Sequence, residues 1–149
     1  MSQKKEGMVI EELHIRLLDK AREAMTNAYV PYSQFRVGAA LLHESGDIYV
    51  GCNIENAAYG PTNCAERTAM FSAIAQGAKP GSFPAIAVIG HTSDPIAPCG
   101  VCRQVLVELC SPETKVIMGN TTGDYHIMTV AELLPGAFTP ASLQKEEQQ

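Results

Sequence analysis

Apolar residues recur at spacings of three and four across residues 8–29, at Ile10, Leu13, Leu17, Leu18, Ala21, Ala24, Met25 and Ala28. That period predicts an amphipathic helix, which Val30-Pro31-Tyr32 ends. The pattern then changes. Phe35-Arg36-Val37-Gly38-Ala39-Ala40-Leu41-Leu42 reads as a buried strand, Ser45-Gly46-Asp47 as a turn, and 48–52 as the return strand of a hairpin. Residues 53–63 lack a sustained period and carry several turn formers, which predicts a loop. The alanine-rich stretch from Cys64 to about residue 76 predicts a second helix, stopped by Gly77 and Pro80. A second buried strand follows at 85–90. After a loop with Pro95 and Pro98 comes a third helix from about residue 99 to 110, with Val101, Val105 and Leu109 on one side and Pro112 closing it. Strands are expected at 115–118 and 125–128, joined by a turn at 121–124. Thr129 with Glu132 three residues later is a capping box opening a short helix that Pro135-Gly136 ends.

This order of elements predicts an α/β fold, a three-layer α/β/α domain around a mixed sheet of about five strands. No internal repeat and no Gly-, Ser- or Pro-rich linker divides the chain, so 1–149 reads as a single domain with polar tails at about 1–7 and 144–149. A chain of this length buries roughly 70% of its unfolded surface and needs no disulfides for stability. The five cysteines, at 52, 64, 99, 102 and 110, form no secreted disulfide framework. A reducing, cytoplasmic setting is expected. The polar start is followed by no apolar leader, and no apolar run approaches the roughly 20 residues that span a bilayer, so neither a targeting segment nor a membrane partner is expected. A net charge of -5 provides no general basic surface for phosphate backbones, which favours a small-molecule substrate over a nucleic acid polymer.

The chemistry concentrates in two stretches, Asn63-Cys64-Ala65-Glu66-Arg67 and Pro98-Cys99-Gly100-Val101-Cys102-Arg103-Gln104. A catalytic zinc site keeps three protein ligands and leaves its fourth position to water; Cys64, Cys99 and Cys102 supply three sulfurs. Cys99 and Cys102, three apart, project from the same side of a helix. Cys64 and Glu66 lie about 200° apart around a helix, so both reach one metal only if it sits off the helix end. There, unpaired N–H groups and the positive end of the dipole also favour thiolates. Both helices are therefore expected to aim their N-termini at the metal. Three thiolates give Zn²⁺ a net charge of about -1, and Arg67 is the adjacent residue able to offset it by donating to the cysteine sulfurs. With Pro98 before the Cys-x-x-Cys pair, this set resembles the signature of zinc-dependent base deaminases, which implies that Glu66 moves protons between the water, a ring nitrogen of the base and the departing amine.

These residues, with the 35–42 run, Cys52-Asn53-Ile54-Glu55-Asn56-Ala57-Ala58-Tyr59 and Glu132-Leu133-Leu134-Pro135-Gly136-Ala137-Phe138, resemble the small zinc-dependent cytidine deaminases over residues 17–138. The resemblance implies a homotetramer with one Zn²⁺ per subunit that converts cytidine and deoxycytidine to the uridines and releases ammonia, in pyrimidine salvage. It further implies that Asn53 and Glu55 hold the ribose hydroxyls, Phe35 packs against the base and the Ala65 backbone helps bind the pyrimidine. Ala57, Ala58 and Tyr59 would reach a neighbouring subunit's site, and Phe138 would help cover the pocket. Gly60-Pro61-Thr62 departs from the pattern and leaves the shape of that loop open.

Other readings compete. Cys99-Gly100-Val101-Cys102 alone also fits a thiol–disulfide pair, which leaves Cys64 and Glu66 unexplained. A closed structural zinc with His91 or Cys110 as fourth ligand would make the chain an interaction module. A deaminase of another cytosine-bearing compound, such as a blasticidin-type antibiotic, is a third; Asn53-Ile54-Glu55 favours nucleosides. Cys52 and Cys110 read as small buried hydrophobes, and His14, His43 and His126 as ordinary surface or packing residues.

Overall fold

The structure, a computed structural model, describes residues 2–144, with side chains from Ile10 onward. Helix α1 (Ser2–Met25) is followed by β1 (Val37–Leu42), β2 (Ile48–Cys52), α2 (Ala65–Ala75), β3 (Ala85–Gly90), α3 (Gly100–Leu109), β4 (Lys115–Asn120), β5 (Tyr125–Thr129), α4 (Val130–Leu133) and a final 3₁₀ turn, Pro140–Leu143. The five strands form one mixed sheet in the order β2-β1-β3-β4-β5. Only β3 and β4 run parallel.

The central strands are apolar on both faces because both are covered, as the period of two requires. Ala39, Leu41, Ile86, Val88, Val116 and Met118 face a core built with α2, α3 and α4. Ala40, Leu42, Ala85, Ala87, Ile89 and Ile117 face α1 through Leu17, Leu18 and Ala21. The expected three layers are therefore present. Close approach between layers needs glycine at two points. A Cβ on Gly38 would collide with the Ala21 carbonyl oxygen of α1, and one on Gly51 would fall 2.5 Å from Ala65 O and Ala69 N of α2.

Several boundaries differ from expectation. α1 begins at Ser2, inside the stretch expected as a polar lead, and stops at Met25 rather than at 29. Thr26, Asn27 and Ala28 bond back three residues instead of four, and Tyr29 leaves the helix to bridge Ile54. Phe35 and Arg36 precede β1, because Gln34 turns through the left-handed region at φ 56° just before them. In α3 the inward residues are Cys102 and Leu106, whereas Val101 is exposed. The 3₁₀ turn was unforeseen, as was the extension of β4 to Asn120, whose side chain organises the following turn by accepting from the Thr122 and Asp124 backbone N–H groups. The capping box forms as expected, with Thr129 N donating to Glu132 Oε1 and Glu132 N to Thr129 Oγ1. His14 and Cys110 are buried and Cys52 is half-buried. Beyond Gln144, the expected C-terminal tail lies outside the described residues.

Candidate active site

The site lies at one rim of the sheet. Val37 opens β1 opposite Gly90, the end of β3, and Gly38 pairs with Cys52, the end of β2. This is also the carboxyl end of the parallel pair, where open α/β sheets place their ligands. α2 and α3 both start there. Asn63 leads into α2, fixed by backbone bonds in both directions with Ile54 and by Nδ2 donating to Thr68 Oγ1 at 3.0 Å. Pro98, before α3, is held by Arg103, whose Nε donates to Pro98 O at 2.9 Å and whose Nη1 donates to Leu133 O at 2.8 Å.

Cys64 and Cys99 are the N-cap residues of α2 and α3, both with extended backbone. Cys99 Sγ accepts the Cys102 N–H, the role a serine hydroxyl plays at ordinary helix starts. The three sulfurs of Cys64, Cys99 and Cys102 lie within 4.8 Å of one another, and Cys64 Sγ and Cys99 Sγ are 3.8 Å apart. Sulfurs bound tetrahedrally at about 2.3 Å are separated by about 3.8 Å, so the cluster fits a zinc ion with little movement. Protonation divides the sulfurs unevenly. Pairing with Cys102, with Arg67 and Cys99 adding to it, brings Cys64 down to about 5, while that pairing and burial push Cys102 up. Arg67 Nη2 donates to Cys64 Sγ at 3.3 Å. Among the described residues Arg67 Nε is the only buried side-chain nitrogen or oxygen without a partner, an unanswered positive donor where thiolate charge would gather.

Glu66, in the first turn of α2, is 4% exposed, and its Oε2 accepts the Cys102 thiol at 3.2 Å. Burial pushes its carboxyl up, against its own backbone N–H and the Cys102 thiol. Phe35, Asn53, Cys64, Ala65, Glu66 and Cys99 line one cavity of about 460 Å³, with Cys102 buried at the cluster. The structure does not gather every expected residue there. Glu55 and Tyr59 line a separate hollow with Tyr32, Ser33 and Thr62. Ala57 and Ala58 sit on the exposed loop, and Phe138, 59% exposed, lies on the C-terminal segment where Gln104 Nε2 donates to its carbonyl.

The sequence profile of the "Cytidine and deoxycytidylate deaminase zinc-binding region" matches residues 11–119. The chain is 56% identical over 123 residues to a cytidine deaminase of Halalkalibacterium halodurans, covering 83% of this chain and 92% of that one. It is 52% identical over 134 residues to a cytidine deaminase of Sporosarcina psychrophila, covering 90% and 97%. The chain belongs to the cytidine deaminase family. In three dimensions it resembles the crystal structure of cytidine deaminase from Burkholderia pseudomallei, with TM-score 0.83 and 54% identity over 84% of this chain and 98% of that one. Zinc is the metal of the family's matched region, and the three-sulfur cluster is the donor set this family member offers it.

The cavity of this family member also includes Val37, Ile96 and Ala97, which the sequence places in a strand and a connecting loop. A Cβ on Gly90 would lie 3.0 Å from Ile96 Cδ1 and 3.4 Å from Phe35 Cζ, so the bare backbone at the end of β3 makes room for both side chains. The available signal was Pro95-Ile96-Ala97-Pro98, two prolines stiffening a short apolar pair just before the metal-binding stretch.

Proposed function

We propose that the protein deaminates cytidine and deoxycytidine hydrolytically, giving uridine and deoxyuridine with release of ammonia, in pyrimidine salvage. The observation that carries this reading is the joint lining of one cavity by Glu66 and by cysteines of the sulfur cluster. Its volume, about 460 Å³, suits a single nucleoside. Zinc bound to Cys64, Cys99 and Cys102 supplies the Lewis acidity that makes water nucleophilic near neutral pH. Glu66 takes a proton from the attacking water at its carboxylate and delivers it to the ring N3. It then carries the second proton to the amine, which leaves C4 as ammonia while C4 keeps the oxygen. A buried carboxyl raised above its ordinary value suits both receipt and delivery. Arg67 balances the surplus negative charge on the sulfurs.

Phe35 packs against the pyrimidine, the Ala65 backbone binds its polar edge, and Asn53 and Glu55 receive the sugar hydroxyls. Exposure of Tyr59, at 73%, and of Phe138 supports a homotetramer, with Ala57, Ala58 and Tyr59 reaching a neighbouring site and Phe138 helping to cover a pocket. The free cysteines support a cytoplasmic location, and no described helix is long and apolar enough to cross a membrane.

The test is the absorbance change of cytidine and the ammonia released, with and without a zinc chelator, beside Glu66→Ala. Wild-type turnover should stop with the chelator and return with zinc. Glu66→Ala should retain zinc and lose about 10²-fold or more of kcat. Activity surviving in Glu66→Ala would overturn the proton-transfer role, and inactivity of zinc-loaded wild type on every cytosine nucleoside would overturn the reaction. Sedimentation velocity decides the subunit number.

A further inference from the structure

Residues 53–55 form an extended segment, paired on both sides. Tyr29 N donates to Asn53 O and Glu55 N to Tyr29 O, while Ile54 and Asn63 exchange backbone bonds across the other edge. Two side chains from this segment hold the loop that brings in Phe35. Glu55 Oε1 accepts both Tyr32 N, at 3.0 Å, and Ser33 N, at 3.1 Å. Asn53 brackets Phe35 from the other end, with Nδ2 donating to Phe35 O at 2.7 Å and Oδ1 accepting Val37 N at 2.9 Å. Between these anchors Ser33 Oγ accepts the Phe35 N–H at 3.0 Å, and Gln34 is held at φ 56°, a left-handed conformation that is unfavourable for a non-glycine residue and persists only where its surroundings enforce it.

We propose that Asn53 and Glu55 are positioning residues for the pyrimidine end of the site: they hold residues 32–37 in the turn that sets the Phe35 ring into the cavity wall. The proposal rests on the deaminase reading above and goes beyond it. A sugar-binding role ends at the sugar, whereas these contacts act on the opposite part of the substrate. One oxygen of Glu55 is already committed to the loop before any ligand arrives. Ser33 and Tyr32 hold the Glu55 carboxyl below its usual range, the Ser33 hydroxyl foremost, as expected of an anion receiving several donors.

The two roles separate with a ligand that has no sugar. Binding of 1-methylcytosine is measured by NMR titration of the zinc-loaded protein, and exchange of the Tyr32, Ser33 and Phe35 amides is followed in the same samples. Glu55→Ala should speed exchange at all three amides and weaken 1-methylcytosine about 5-fold or more. Glu55→Gln keeps a carbonyl oxygen for the two N–H groups, so it should restore both readouts while still weakening cytidine. Ser33→Ala, which takes the hydroxyl away from both Glu55 and the Phe35 N–H but keeps the carboxylate for the sugar, should also weaken 1-methylcytosine and guards against misfolding of the first variant. Unchanged 1-methylcytosine affinity in folded Glu55→Ala and Ser33→Ala would overturn the proposal, even if the amides exchange faster. Cytidine turnover by the wild type, measured separately, reports on the deaminase reading alone.

Discussion

Replacing Arg67 with methionine keeps an unbranched apolar stem reaching about as far as Nε and removes the guanidinium that donates from Nη2 to Cys64 Sγ over 3.3 Å. Unit charges at that separation attract by ~5 kcal/mol at an effective dielectric of about 20. That is an upper value, since Arg67 is half-buried and water screens it. A hydrogen bond to a charged group contributes ~1.5–3 kcal/mol net, which converts to about 10- to 100-fold in zinc affinity, the scale found for residues that orient metal ligands. Arg67→Lys keeps the charge without the planar fork and should fall between. Competition for zinc against a chromophoric chelator measures the effect. The direction with pH is also fixed. Arg67 contributes to holding Cys64 at about 5, so without it the thiol keeps its proton to higher pH and the acid midpoint of zinc loss moves upward. A methionine variant with wild-type zinc affinity and an unmoved midpoint would refute the assignment.

Gly51→Ala should destabilise the fold by ~1–3 kcal/mol in urea unfolding, because its Cβ would stand 2.5 Å from α2 backbone atoms that must move away; an unchanged midpoint would mean that α2 does not need this close approach. His14 is held below its usual value by burial and by Lys115. The unfolded chain therefore binds a proton at about 6.5 that the folded one declines. Stability from this source is complete above that pH and is lost as pH falls toward the folded value. His14→Gln should flatten the decline of the urea midpoint between about pH 7 and 5, whereas parallel curves for both proteins would remove His14 from the account. Thr129→Ala breaks the capping box and should cost ~0.5–2 kcal/mol; a null result in thermal unfolding would show that Glu132 and its surroundings hold α4 unaided.

The strands were the most legible elements, and for a physical reason. β2 and β3 fall where alternation and continuous apolar runs placed them, because burial on one or both faces leaves a period in the residues. Helix ends and irregular segments leave weaker marks. The apolar stripe continues through Ala28, yet α1 stops at Met25, because pairing of Tyr29 with the 53–55 segment competes with helix continuation. The conflict between Cys64 and Glu66 around a helix pointed to a site off the helix ends, and Cys64 and Cys99 do cap α2 and α3. Sequence spacing had put Cys99 and Cys102 on one helical side, whereas Cys99 precedes the first helical residue. Ile96 and Ala97 were not foreseen because their place in the cavity depends on the path of a loop and on the space left by Gly90. The hold of Glu55 on the 32–33 backbone had no sequence mark either, since it spans 23 and 22 residues between extended segments.

Cys64 and Cys99 are 35 residues apart and begin different helices, so an ion joining them links two parts of the chain that an unfolded molecule keeps distant. Metal supply and conformational stability thereby become one quantity. By mass action, free zinc at about 100 times its dissociation constant adds ~2.7 kcal/mol to the folded state, and each further tenfold adds ~1.4 kcal/mol. A cell short of zinc would then hold less of the folded protein as well as less of the active form, and resistance to proteolysis would report intracellular zinc.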